Sequence, residues 1–104
     1  MKKSLALAAA LFAIAGTAQA ERTGEEVYNA TCHLCHAQGV AGAPMLGNQE
    51  AWAPRIEQGI DTLLSHAVNG FTGKTGAMPP KGTCMDCTDG ELKAAIEFMI
   101  SKVQ

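Results

Sequence analysis

Two cysteines and a histidine stand close together early in the chain, at Cys32, Cys35 and His36, in the pattern Cys-x-x-Cys-His. Residues three and four apart share one face of a helix, so the two thiols and the imidazole can project toward the same object. Two thiols can form thioether bonds to the vinyl groups of a haem while the imidazole binds its iron. This run therefore predicts one covalently bound haem c, with Cys32 and Cys35 as attachment residues and His36 as an axial ligand.

A methionine in a proline-bounded loop is the candidate for the opposite side of the iron. Met78 is followed by Pro79 and Pro80, and prolines restrict a loop's conformations, so less entropy is lost when the sulfur is held in place. A thioether is a soft ligand that suits ferrous iron. We therefore expect Met78 to be the second axial ligand. Histidine and methionine ligation together would favour a high reduction potential of the iron.

Other side chains compete for this role with less support. They are Met45, Met85, Met99, His33 and His66. Met99 falls on the apolar stripe of a helix, where packing explains it, and Met45 is only nine residues past His36, so its loop would have to round the porphyrin edge. His66 would give bis-histidine coordination, and it stays open as the alternative.

The first 20 residues have the form of a cleaved signal peptide. Lys2 and Lys3 precede an apolar run over 5–15, and Ala18-Gln19-Ala20 has the small-x-small pattern of a cleavage site. The apolar run is about half the ~20 residues that a spanning helix needs, which disfavours the alternative of a retained anchor. We expect cleavage after Ala20 and a soluble mature protein in the periplasm.

Residues 21–104 are enough for one small domain, and a core of this size commonly needs a cofactor, a metal or a disulfide to complete it. Without Lys2 and Lys3, six basic residues face ten acidic ones. This balance argues against nucleic-acid binding. It favours a partner that carries a basic docking patch.

A second cysteine pair lies near the C-terminus. No histidine follows Cys84 and Cys87, so the pair cannot form a second haem attachment site. Export favours oxidation of the two thiols, and their three-residue spacing is compatible with the Cα separation of a disulfide. A disulfide is therefore the favoured interpretation. A redox-active dithiol is the alternative, although no βαβ pattern surrounds the pair.

Capping patterns predict the two terminal helices. Thr23 and Glu26 predict a helix from Gly24 into the Cys-x-x-Cys-His run, and Thr88 and Glu91 predict a C-terminal helix. The apolar stripe of that last helix consists of Leu92, Ala95, Ile96, Met99 and Val103.

The middle of the chain predicts two shorter helices. Pro54 is expected as the first residue of a helix that ends near Gly59, and Asp61 as the cap of a helix that ends at Asn69-Gly70. Glycine and proline predict irregular loops over 39–47 and 71–86. No segment alternates long enough to predict a strand, so we expect an all-α domain.

Taken together, these residues resemble the class I monohaem cytochromes c, and most closely the bacterial cytochrome c5 group. The resemblance covers residues 24–103. It rests on Cys32-His33-Leu34-Cys35-His36, Gly42-Ala43-Pro44, Asn69-Gly70, Ala77-Met78-Pro79-Pro80-Lys81-Gly82 and Cys84-Met85-Asp86-Cys87. The last pair, beside the methionine loop, is the part that is specific to c5.

The resemblance implies a fold of three to five helices wrapped around one covalent haem. It implies that Cys84 and Cys87 are disulfide-linked, and that the first and last helices cross with Gly24 or Tyr28 against Phe98. It also implies that the Pro44 carbonyl orients the proximal imidazole.

The expected function is that of a one-electron carrier in a respiratory chain, and not of an enzyme. Histidine and methionine together leave the iron no open position for a small-molecule substrate. The expected partners are larger redox proteins, such as a membrane-bound reductase and an oxidase or terminal reductase. Lys74 and Lys81 flank Met78 and offer weak support for a docking role.

Three other functions remain open from the residues. One is a haem-based sensor or enzyme with an open or displaceable sixth position. Another is a zinc protein with four thiolates, although the gap of 48 residues between the two cysteine pairs far exceeds the usual spacing of about 15–20. The third is a small secreted binding module with two disulfides, which leaves the histidine and methionine unexplained.

Overall fold

The computed structural model describes residues 20–103, and within this range the chain is mainly helical. The predicted signal peptide, apart from Ala20, lies outside the described residues. The α-helical segments are α1 (Gly24–Val27), α2 (His33–His36), α3 (Gln49–Ile56), α4 (Ile60–Asn69) and α5 (Asp89–Ser101). In the described part of the chain, no helix has the length and apolar character that crossing a membrane requires.

The N-terminal helical run contains a π turn that the sequence did not predict. The Thr23 hydroxyl accepts a hydrogen bond from the Glu26 N–H (3.2 Å), so α1 begins at the expected residue. A π-helical turn over Tyr28–Cys32 then joins α1 to α2, and the His33 N–H donates to the Tyr28 carbonyl. This wider turn changes the rotation of the helix just before the second cysteine of the motif.

Helix α3 begins earlier than predicted. Its N-cap is Asn48, whose side-chain oxygen accepts from the Ala51 N–H (3.1 Å), so the helix starts at Gln49 and not at Pro54. Asparagine is a strong N-cap, and its hydrogen bond outweighs the preference of proline for the first position. Pro54 lies inside the helix, where it removes one donor that would have bonded four residues back, at the exposed Glu50.

Helix α4 also begins earlier than predicted. Gly59, with φ 90° and ψ 156°, precedes the first helical residue, Ile60, and Asp61 therefore lies in the first turn instead of capping it. A carboxylate in the first turn still stabilises the positive end of the helix dipole. The helix ends at Asn69 as expected, and Gly70 then reverses the chain with φ 83°.

A small hairpin, with two residues in each strand, interrupts the segment predicted to be irregular. Strands β1 (Phe71–Thr72) and β2 (Ala77–Met78) pair antiparallel, with Phe71 opposite Met78 and Thr72 opposite Ala77. The prediction of no strand was wrong here, because two residues are too few for alternation to show in the sequence. Two 3₁₀ turns, Val40–Gly42 and Pro80–Thr83, lie in the two loops.

The C-terminal helix α5 contributes more residues to the described core than any other helix. Thr88 and Glu91 form the complete capping box, since each side chain accepts from the other residue's backbone N–H. All five residues of the predicted apolar stripe are buried. One apolar cluster on this helix contains Val27, Cys84, Cys87, Leu92 and Ala95, and a second contains Tyr28, Trp52, Met99 and Val103.

The first and last helices cross as expected. Gly24 lies against the backbone of Ala94, and the rings of Tyr28 and Phe98 are 5.3 Å apart. The glycine allows the two helix backbones to approach closely, while the aromatic pair fills the space beside the crossing. This crossing sets the position of the Cys-x-x-Cys-His run, which continues directly from α1.

Candidate haem-binding site

The helical run from α1 to α2 carries the two cysteines predicted to attach the haem and the histidine predicted to bind its iron. Cys32 and Cys35 are half-buried thiols that bond to no other cysteine in the described chain, and His36 is buried with 9% of its surface exposed. Burial raises the pKa of the Cys32 thiol. The three side chains are spaced three and one residues apart at the end of one helix, as an attachment site requires.

The imidazole of His36 is oriented by a backbone carbonyl. Its Nδ1 lies 2.9 Å from the Pro44 oxygen, so Nδ1 donates and Nε2 keeps a free lone pair. Burial lowers the pKa of His36 and so favours the neutral ring that a metal needs. The hydrogen bond to the Pro44 carbonyl raises this pKa, whereas the positive charge of Arg55 lowers it further. The structure agrees with the role that the resemblance implies for Pro44.

Trp52 fixes the loop that carries Pro44. Its indole Nε1 donates to the Met45 carbonyl (2.9 Å), and its ring lies 5.9 Å from the His36 ring. The Leu46 N–H also donates to the His36 carbonyl (2.8 Å). The residues on both sides of Met45 are thus tied to α2 or α3. No such role was predicted for Trp52, because the hydrogen-bond partner of a core tryptophan leaves no local pattern in the sequence.

The two irregular loops interlock through glycines. A β-carbon on Gly42 would collide with the Thr75 carbonyl, and one on Gly76 would collide with the Ala41 carbonyl. The Thr75 hydroxyl also lies 3.4 Å from the Gly42 oxygen. Glycine is required at both positions because backbone meets backbone there. The loop after His36 therefore supports the loop that leads to Met78.

Arg55 stands where these loops meet. One guanidinium nitrogen donates to the Ala51 carbonyl (2.6 Å) and another to the Thr75 hydroxyl (3.1 Å). Arg55, Pro44 and Met45 are among the residues that line an open cleft of about 430 Å³ between the loops. This residue was not predicted, because it is one of six basic residues in 21–104 and no local pattern distinguishes it.

Met78 lies in the short strand β2 and is half-buried. Its backbone is held between Phe71, its partner in the hairpin, and the chain reversal at Gly70, where a β-carbon would lie 3.2 Å from the Met78 oxygen. The adjoining Pro80 ring also packs against Gly70. The hairpin and the prolines together restrain the backbone that carries the thioether.

The competing methionines and histidines have other environments. Met99 is buried in the core beside Trp52, whereas Met45 and Met85 are 42% and 71% exposed. His33 Nδ1 lies 3.3 Å from the carbonyl at position 28, inside its own helical run. The His66 ring stacks on Phe71 with centroids 4.1 Å apart. Packing explains Met99, a hydrogen bond His33 and stacking His66, while Met45 and Met85 are exposed, and the choice of Met78 stays a prediction.

The second cysteine pair lies in the core beside α5. The sulfurs of Cys84 and Cys87 are at bonding distance, and their Cα atoms are 5.4 Å apart, a separation that fits a disulfide. The exposed fractions of the two residues are 4% and 2%. Burial of this kind hinders attack by another thiol, which is unfavourable for the redox-active alternative.

Comparison with known proteins identifies the family. The family model described as cytochrome c oxidase, cbb3-type, subunit III, matches residues 19–99. Cytochrome c5 of Azotobacter vinelandii is 46% identical over 80 residues, which cover 75% of this chain and 92% of the relative. The chain belongs to the class I monohaem cytochromes c. Cytochrome c-555 of Chlorobaculum tepidum is 40% identical over 101 residues, which cover 95% and 94% of the two chains.

Solved structures of cytochromes c have the same fold. A cytochrome c in an electron-transfer complex with nitrite reductase has a TM-score of 0.72 and 41% identity, covering 83% of this chain and all of the other. A mono-haem ferrocytochrome c from Shewanella putrefaciens has a TM-score of 0.66 and 46% identity, covering 82% and 99%. The expected fold class is confirmed.

Membership of this family confirms the predicted cofactor, one covalently bound haem c. It excludes the interpretations as a four-thiolate zinc protein and as a cofactor-free binding module. The residues fit the haem, because two unpaired thiols and a neutral imidazole with a free Nε2 end the same helical run. The similarity to cytochrome c5 is likewise confirmed.

Proposed function

We propose that this cytochrome c is a one-electron carrier in a periplasmic respiratory chain, and not an enzyme. The observation that carries the proposal is the hydrogen bond from His36 Nδ1 to the Pro44 oxygen (2.9 Å). It holds a neutral, fixed imidazole as a ligand, and a rigid ligand set reduces the rearrangement that accompanies a change in oxidation state. Cycling between ferrous and ferric iron is the chemistry that haem c supplies.

The proposed ligand set consists of His36 and Met78, with Cys32 and Cys35 as the thioether residues. The restraint of Met78 by the hairpin and by Gly70 supports this choice, since a sulfur on a fixed backbone loses little entropy on binding. A methionine ligand raises the reduction potential relative to two histidines. If His36 and Met78 both bound the iron, no coordination position would remain for a small molecule.

We infer export from the pattern of the first 20 residues, with residues 21–104 forming the mature monohaem domain. The proposed Cys84–Cys87 disulfide supports an oxidising compartment, because such bonds persist outside the cytosol. Export is testable by mass spectrometry of the protein isolated from the periplasmic fraction. Its mass gives the cleavage position and includes the covalent haem.

We infer that the partners are larger redox proteins, such as a membrane-bound reductase and an oxidase or terminal reductase. The related cytochrome c found in an electron-transfer complex with nitrite reductase supports this class of partner. The acidic balance of residues 21–104 favours a basic docking surface on the partner. Neither nucleic acid nor a small-molecule substrate has a role in this proposal.

Visible spectroscopy of the ferric holoprotein tests the ligand set. We expect a low-spin spectrum with the far-red band of a thioether–iron bond, loss of that band in Met78→Ala, and its retention in Met85→Ala. Met85 is a matched control, because it lies in the same segment and is 71% exposed. A high-spin wild-type protein without the band would overturn the carrier proposal and favour a sensor or enzyme with an open sixth position.

A further inference from the structure

The segment that follows Met78 has an unusual backbone. Lys81, Gly82 and Thr83 are three consecutive residues in the left-handed region, with φ of 57°, 57° and 71°. Only glycine adopts this conformation without cost, so the two side-chain-bearing residues must be held there by surrounding contacts. The contacts that hold them also set the path of the chain that leaves Met78.

The side chain of Lys81 supplies one such contact. Its ammonium group donates a hydrogen bond to the Cys87 carbonyl (3.1 Å), and the residue is half-buried. The Lys81 carbonyl accepts from the Cys84 N–H (3.0 Å), and the Gly82 N–H donates back to the Pro79 carbonyl (2.9 Å). Lys81 therefore joins the Met78 segment to the Cys84–Cys87 turn instead of presenting its charge to a partner.

The turn to which Lys81 bonds is firmly anchored. Cys87 is buried in the core, and Nη2 of Arg22 lies 3.4 Å from its sulfur. The same guanidinium donates through Nε to the buried carboxylate of Glu91 (2.6 Å). Since Glu91 completes the capping box of α5 with Thr88, the Cys87 carbonyl belongs to a rigid part of the fold.

From this arrangement we propose that Lys81 is a positioning residue for the axial sulfur of Met78. Its ammonium group ties the left-handed segment to the Cys87 carbonyl, and so keeps the backbone after Met78 in the path that presents the thioether. The inference rests on the proposed ligand set. It assigns to Lys81 a role within the fold, where the sequence offered only a weak role in docking.

Competition by imidazole tests the proposal, because an external ligand binds ferric iron only when it displaces the methionine. Titration of the ferric holoprotein gives an apparent Kd for imidazole. Loss of a hydrogen bond from a charged donor predicts that Lys81→Met lowers this Kd by about tenfold. Lys81→Arg keeps a cationic donor, and its Kd is expected to stay within about threefold of wild type.

Lys74→Met is the matched control. Lys74 is exposed in the same loop, and its side chain makes no hydrogen bond or ion pair within residues 20–103. This variant removes the same charge, and its Kd is expected to equal that of wild type. Lys81→Gly removes the ammonium group and also the strain of a side chain in the left-handed conformation, so it supplies a folded variant if Lys81→Met is unstable. Its Kd for imidazole is again expected to be below that of wild type.

The outcomes separate this inference from the proposed function. If wild type shows the thioether band and both Lys81→Met and Lys81→Gly bind imidazole as weakly as Lys74→Met, the positioning role is wrong while the ligand set stands. If wild type lacks the band, the ligand set itself is wrong. Tighter imidazole binding by both variants, with Lys81→Arg near wild type, supports the positioning role.

Discussion

Gly24 lies against the backbone carbonyl of Ala94 so closely that no β-carbon fits at position 24. The contact forms where α1 crosses α5, and neither backbone can yield without moving its helix. We expect Gly24→Ala to reduce the free energy of unfolding of the holoprotein by about 3 kcal/mol, the upper part of the range for overpacking. Denaturant titration followed by tryptophan fluorescence measures this loss.

Gly59→Ala is the control for the loss of a glycine. A β-carbon there meets nothing within 4 Å, but the residue has φ 90° and ψ 156°, a region that almost only glycine adopts, so its cost is conformational, about 2 kcal/mol. A loss at position 24 no larger than that at position 59 would contradict the close crossing.

The ion pair between Arg22 and Glu91 makes stability depend on pH. Hydrogen bonds, first from the Arg22 side chain and then from the Thr88 backbone, lower the pKa of Glu91 from 4.5 to about 2. The unfolded chain therefore binds a proton at higher pH than the folded chain does, and stability is lost as the pH falls from about 4.5 toward 2.

Glu91→Gln tests this dependence. We expect the variant to be less stable than wild type above pH 5, and the difference to shrink as the pH falls and to vanish near pH 2. Urea titrations at a series of pH values measure it. Glu97→Gln, at an exposed position of the same helix, is the control for the loss of one negative charge. A difference that stays constant from pH 7 to pH 3 would refute the assignment.

The proposed disulfide closes a short loop, so its stabilising effect is moderate. For a bridge between Cys84 and Cys87 the chain-entropy relation gives about 2 kcal/mol. With the haem iron of both proteins kept ferrous throughout, so that only the bridge can be reduced, we expect a thiol reductant to lower the free energy of unfolding by this amount in wild type, with the haem retained. The Cys84→Ala/Cys87→Ala double variant should already show the loss and should not respond to reductant. Equal responses of the two proteins would exclude the bridge.

We expect Trp52 to influence the iron through the loop that carries Pro44. Trp52→Phe removes the donor to the Met45 carbonyl and loosens the adjoining carbonyl of Pro44, which weakens its hydrogen bond to His36. A less basic imidazole stabilises ferric iron less, so the reduction potential should rise, by about 20–60 mV for a one-electron couple. Redox titration measures the change.

Met99→Leu is the packing control for this experiment. Met99 belongs to the same buried cluster as Trp52 and makes no hydrogen bond to the Pro44 loop in the described chain. Its substitution should leave the reduction potential within about 10 mV of wild type, well below the roughly 59 mV that corresponds to a tenfold change in the equilibrium constant of a one-electron couple. A similar rise in both variants would assign the effect to core packing.

Features with a local cause could be predicted from the sequence. The spacing of Cys32, Cys35 and His36 predicted the attachment run, because helical geometry alone places them together. Capping by Thr23 and by Thr88 predicted the start of α1 and α5, since each involves residues three apart. The starts of α3 and α4 were misplaced, because Asn48 and Gly59 compete locally with Pro54 and Asp61 for the same role.

Tertiary structure decided the features that join distant residues. The carboxylate of Glu91 pairs with Arg22, 69 residues away, and the loops at Gly42 and Gly76 meet backbone to backbone. The Lys81 side chain bonds to the Cys87 carbonyl, although a charged residue in a loop would be expected to face solvent. Short-range patterns record helical periodicity and capping, whereas these contacts depend on how the helices cross. The sequence alone thus sufficed to predict the cofactor, which the family confirms, and the run that would attach it, whereas packing determined how the two loops are held.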